Sequence, residues 1–177
     1  SLVDEVRRRV DELHKDNKRL DDESEKKVRD AHRENERLDD ESRRKVKEAI
    51  RKLEELKGTS EETVKEIIKE VEKVVDELRK EYDDLERRNK EVADRLREEY
   101  ERARKKNEDV LREIRDKLLD VKESLDRLAE KLKKSIKESE DILRELEKRL
   151  RDSIRESRKI LEDLRRELEE VIKRLED

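Results

Sequence analysis

The side chains in this sequence with chemistry to offer are few, and they recur at one interval. His14 returns as His32, Asn17 as Asn35, Ser24 as Ser42, Tyr82 as Tyr100, Asn89 as Asn107, Ser135 as Ser153 and Ser139 as Ser157, each 18 residues on. Imidazole ligates metals and carries protons, and a serine hydroxyl beside an imidazole is the start of a nucleophilic pair. Neither chemistry is completed. On one helix His14 and His32 would stand about 27 Å apart at helical rise, too far to share an ion, and Asn, Ser and Tyr are weak further ligands. No carboxylate in the apolar stripe orients the imidazoles, and a regular helix offers no oxyanion hole. The expectation is therefore no catalytic residue, no metal, no cofactor and no small-molecule ligand.

What positions these residues is helical periodicity. Eighteen residues make five whole turns at 3.6 residues per turn, so each residue returns to the same azimuth on a straight helix. The stretch Asn17–Ala31, NKRLDDESEKKVRDA, is rewritten at Asn35–Ala49 as NERLDDESRRKVKEA. A first stripe runs Val6, Val10, Leu13, Asn17, Leu20, Ser24, Val28, Ala31, Asn35, Leu38, Ser42, Val46, Ala49, Leu53 and Leu56, with spacings of three and four. His14 and His32 lie beside it. Ser1 can cap its start and Gly58 its end, which predicts a helix over 2–57. Thr59 with Glu62 reads as a capping box for a second helix over 60–118. Its stripe includes Tyr82, Leu85, Asn89, Tyr100, Ala103 and Asn107.

No Gly or Pro separates this stripe from a third set built on Ser135, Ser139, Ser153 and Ser157. Two features nevertheless divide them. Asp120 with Glu123 makes another candidate capping box. One helix from residue 60 to the end would be about 175 Å long, twice its partner. A turn near Leu119–Asp120 gives a third helix over 121–176. With turns centred at 58.5 and 119.5, Asn17, Tyr100 and Ser139 fall at one height, with His14 and Ser135 just below. Asn35, Tyr82, Ser157, His32 and Ser153 form the same layer one repeat up. The expected fold is all-α, a straight up-down-up three-helix bundle about 85 Å long by helical rise, one domain over 1–177.

Buried polar groups cost stability unless paired, and paired they restrict which arrangements are acceptable. His14, Asn17, Tyr100, Ser135 and Ser139, with His32, Asn35, Tyr82, Ser153 and Ser157, carry the donors and acceptors for two closed networks, and Ser24, Ser42, Asn89 and Asn107 lie in the same stripes. Their expected role is to fix helix register. Buried neutral histidines would also make the fold less stable as pH falls through the ordinary histidine range.

The chain is 61% charged and 29% hydrophobic, with one Gly and no Pro, Cys, Met or Trp. Disordered chains of comparable polarity lack this periodicity and are rich in breakers. The 52 basic and 56 acidic residues give a net charge of −4 and alternate within each turn. That leaves no basic face for nucleic acid, and two tyrosines make no stacking platform. No apolar run reaches the length of a membrane span, which predicts a soluble, cytosol-like chain, and its first residue, Ser1, suggests a processed or tag-cleaved start.

The repeat of His14, Asn17, Tyr100, Ser135 and Ser139 in His32, Asn35, Tyr82, Ser153 and Ser157, with almost no Gly or Pro, resembles computationally designed helical bundles with buried hydrogen-bond networks. The resemblance spans the whole chain. It implies a scaffold without a natural substrate and without enzymatic activity, most simply a monomer. The alternative it leaves open is an assembly module, joining copies or a designed partner through Ile68, Val75, Leu111, Leu143 and Leu161, or a pH-responsive bundle.

Overall fold

A computed structural model describes residues 1–56, 58–117 and 122–176. The chain forms three α-helices: α1 over Leu2–Glu54, α2 over Glu61–Lys117 and α3 over Lys122–Glu176. Glu, Lys, Arg and Leu dominate each and are strong helix formers. Acidic residues stand in the first turns (Asp4 and Glu5; Glu61 and Glu62; Glu123) and basic ones in the last (Arg51 and Lys52; Arg115 and Lys117; Lys173 and Arg174), each matching the sign of the backbone dipole there.

The helix ends carry the local chemistry. Asp4 N–H donates to Ser1 Oγ at 3.3 Å, so Ser1 caps α1. At the other end α1 stops at Glu54, three residues earlier than the stripe predicts. Its last turn tightens: Leu56 N–H donates to Leu53 O at 3.2 Å, and Leu56 turns into the core. Gly58 then takes φ of +90°, a region that costs an L side chain and costs glycine nothing. The capping box expected at Thr59 is not made. Thr59 Oγ1 bonds back to Leu56 O at 2.8 Å, and Ser60 takes the cap, accepting from Thr63 N–H at 3.4 Å. The second turn at Leu119–Asp120, with its Asp120 capping box, lies outside the described residues.

By density of contacts the chain divides into two units, Ser1–Arg29 with Glu91–Arg149, and Asp30–Lys90 with Leu150–Asp177. In the first, Arg9 pairs with Glu113 and Lys27 with Glu99, so α2 runs antiparallel to α1. Asp11 pairs with Lys131 and Asp21 with Ser139, so α3 runs parallel to α1. Its apolar core gathers Val6, Val10, Val110, Ile114, Leu125, Leu128 and Leu132. In the second unit Glu34 pairs with Arg88 and Lys45 with Glu81, again antiparallel, and the core gathers Val46, Leu53, Val71, Leu78, Leu164 and Leu168 among others. The ion pairs are largely exposed and contribute little singly. Apolar burial holds each unit.

The buried line on α1 differs from the expected stripe at three positions: Leu13 is only half-buried, and aspartates replace two leucines. Asp21 and Asp39 are buried, at 8% and 5% exposure, while Leu20 and Leu38 are only half-buried. From Asn17 the buried residues are Asp21, Ser24, Val28, Ala31 and Asn35, a strict spacing of 4, 3, 4, 3, 4.

Candidate functional site

In the first unit, Asn17 of α1 joins all three helices. Its Nδ2 donates to Asn107 Oδ1 at 3.1 Å and to Ser135 Oγ at 3.0 Å. Asn107 Nδ2 donates back to Asn17 Oδ1 at 3.1 Å and to the Ala103 carbonyl at 2.5 Å. The two amides thus form a reciprocal pair in which all four N–H donors are used. His14 Nδ1 lies 3.0 Å from Ser135 Oγ. One turn further along α1, Tyr100 OH donates to Asp21 Oδ1 at 2.7 Å, and Ser139 Oγ to Asp21 Oδ2 at 3.3 Å.

The second unit repeats this set. Asn35 donates to Asn89 at 3.2 Å and to Ser153 at 2.8 Å, and Asn89 returns the bond at 2.9 Å while donating to Leu85 O at 2.7 Å. His32 Nδ1 is 2.7 Å from Ser153 Oγ. Tyr82 OH donates to Asp39 Oδ1 at 2.8 Å and Ser157 Oγ to Asp39 Oδ2 at 3.1 Å. Ser42 Oγ donates to Leu38 O at 2.7 Å, whereas the buried Ser24 Oγ makes no such bond. Burial raises the Tyr82 and Tyr100 phenols, and the neighbouring Ser42 and Ser24 oppose part of that rise.

The levels differ from those a turn at 58.5 implies. Asn17 meets Asn107, seven positions beyond Tyr100, and Tyr100 meets Asp21, four beyond Asn17. Side chains lean toward their own helix N-terminus. In antiparallel helices the two leans diverge, so residues that touch have higher numbers than residues level at Cα. In parallel α1 and α3 both lean the same way, and His14 meets Ser135 as expected. Lean accounts for the direction of the offset.

The histidines sit at the margin of the networks and are not buried within them. Both are half-buried, and the His32 side chain is 44% exposed. The burial that a histidine-driven pH response calls for is only partial. Ser153, having accepted from Asn35, has its own proton to give to His32 Nδ1, which leaves Nε2–H facing Glu36 Oε1 at 2.5 Å. A carboxylate off the stripe therefore does orient this imidazole. At the matching place beside His14 the residue is Lys18. Ser153 is itself buried and already accepts from Asn35, so its oxygen has no open side for a substrate carbonyl.

The charged members of the clusters, Asp21 and Asp39, are absent from the sequence reading, although each returns with the 18-residue repeat and fits the strict spacing. Burial pushes the Asp21 carboxyl above its ordinary pKa. The bonds from Tyr100 and Ser139 oppose that, and the neighbouring Asp22 and Glu25 add to it. Asp39 is raised for the same first cause, with Tyr82, Ser157 and Arg43 opposing. Burial also pushes both tyrosines well above the ordinary phenol range, and the adjoining carboxylates add to the rise. In each Asp–Tyr–Ser group two hydroxyl donors offset part of the burial penalty on the carboxylate, and the phenol stays un-ionised.

Among the described residues no group of three His, Cys, Asp or Glu could hold a metal ion, and no helix is long and apolar enough to cross a membrane. No family model matches the chain, and no curated protein does. A solved structure described as a "Computationally designed three helix bundle" matches with a TM-score of 0.50 at 22% identity, over 98% of this chain and 88% of that one. That likeness is one of fold: both chains are all-α three-helix bundles.

Proposed function

We propose that this chain is a designed structural scaffold, a single domain over 1–177 without enzymatic activity, whose paired polar clusters fix the register of three otherwise uniform helices. The observation that supports it is duplication of an entire bond set: the Asn–Asn–Ser–His and Asp–Tyr–Ser groups recur with the same donors and acceptors 18 residues on. Apolar stripes with spacings of three and four would accept a slip of seven or eleven residues. Slipping these clusters would strand buried amides and carboxylates, at about 1–3 kcal/mol for each unsatisfied group.

The reading is tested by replacing the Asn pairs and the Asp–Tyr–Ser groups with apolar residues of similar volume. Helicity should persist while NMR dispersion collapses into several species and the mass departs from the 21.7 kDa of one chain. A single sharp species at that mass would sink the register role. The assembly alternative needs a bare apolar face, yet Ile68, Val75, Leu111, Leu143 and Leu161 are all half-buried, and among the described residues the exposed large hydrophobic one is Leu2.

A further inference from the structure

Ala103 breaks the repeat. It lies on the buried line of α2 between Tyr100 and Asn107, and the residue in the same place relative to Tyr82 and Asn89 is Leu85. Leu85 is buried, whereas Ala103 is half-buried despite its size. Two concavities open at this truncated position, one of about 500 Å³ between α2 and α3 and one of about 350 Å³ between α1 and α2. They share three lining residues: Asn17, Ala103 and Asn107. The floor of each is therefore the back of the other. Leu13, which stands where the repeat has Ala31, packs against the core around Val10 and Val110 and forms part of the wall of the concavity between α1 and α2, leaving the space at Ala103 open. In the reciprocal pair, the oxygens of Asn17 and Asn107 each accept one hydrogen bond and keep a lone pair.

We propose that the gap at Ala103 binds one small branched alcohol, its isobutyl end lying where Leu85 lies in the other copy and its hydroxyl donating to an amide oxygen of the Asn17–Asn107 pair. The occupant is read from the chain itself: an isobutyl group is the leucine side chain that the repeat calls for and Ala103 lacks. Five heavy atoms partly withdrawn from water give a half-saturation on the order of 10 mM. The inference does not depend on the register role of the clusters.

The test is a titration of the full chain with 2-methyl-1-propanol, followed by the side-chain amide resonances of Asn107 and Asn89. A saturable shift at Asn107 with none at Asn89 is expected, lost in Ala103→Leu. In Leu85→Ala the same saturable shift should appear at Asn89, which keeps the proposal testable if Ala103→Leu misfolds. Equal or non-saturating shifts at the two amides overturn it, as does a saturable Asn107 shift that survives Ala103→Leu.

Discussion

Tyr100→Phe removes one hydroxyl and leaves the ring that fills the core. That hydroxyl donates to Asp21 Oδ1 at 2.7 Å, and the remaining donor, Ser139, is more distant at 3.3 Å. A hydrogen bond to a charged group contributes about 1.5–3 kcal/mol, so the expected cost at pH 7 is about 2 kcal/mol. For a guanidinium m-value of about 4 kcal/mol per molar, the unfolding midpoint falls on the order of 0.5 M. The pH dependence has a definite sign. Losing a donor that lowers the Asp21 pKa leaves it raised further by burial. A raised folded pKa means a contribution that is complete below the unfolded value and lost as pH rises through the folded one. The deficit of Tyr100→Phe relative to the parent should therefore grow from pH 3 to pH 7. Tyr82→Phe should cost about as much through Asp39, with a shallower pH dependence, because Arg43 helps to hold that carboxyl down. The two sites share no partner, so the double variant should lose about 4 kcal/mol, additive to about 0.5 kcal/mol. A cost below about 0.5 kcal/mol at pH 7, or one that is the same at pH 3 and pH 7, would refute the reasoning about buried carboxylates.

Asp21→Asn with Asp39→Asn should raise the denaturation midpoint at pH 7, where the parent buries two ionised carboxylates, and the gain should shrink as pH falls and the parent's own carboxyls become protonated. Asn17→Leu alone should cost about 2 kcal/mol by stranding Asn107 and Ser135, while Asn17→Leu with Asn107→Leu should recover much of that loss; chemical denaturation of the three variants decides it. Gly58→Ala should cost about 1 kcal/mol through backbone conformation alone, since an added Cβ there meets nothing within 4 Å, and Gly58→Asn should cost less; thermal unfolding provides the comparison.

The three helices were legible because helix formers, stripe periodicity and Gly58 agree, and the polar repeat showed where one helix gives way to another. Residue type hides Asp21 and Asp39, because Leu20 and Leu38, one position earlier, are hydrophobic. Residue type outweighed a spacing that pointed at the aspartates. The sequence could show that polar groups from three helices cluster, but not that Asn17 meets Asn107 instead of Tyr100. That choice depends on side-chain lean, which residue counting does not contain. Histidine burial is partial for a related reason: His14 and His32 flank the line, and a flank position on a three-helix bundle is only half covered.

Within each unit, three helical segments in up-down-up order admit two mirror arrangements, with the α3 segment on either side of the plane through those of α1 and α2. Apolar burial hardly distinguishes them. The flanks of α1 do: Leu13 and Leu20 line the side toward α2, while His14 bonds Ser135 on the side toward α3, and His32 does the same with Ser153. Exchanging the positions of α2 and α3 would set those leucines against serine and withdraw both imidazoles from their hydroxyls. The half-buried histidines thus bear on the handedness of packing within each unit, a property that neither helix length nor register determines.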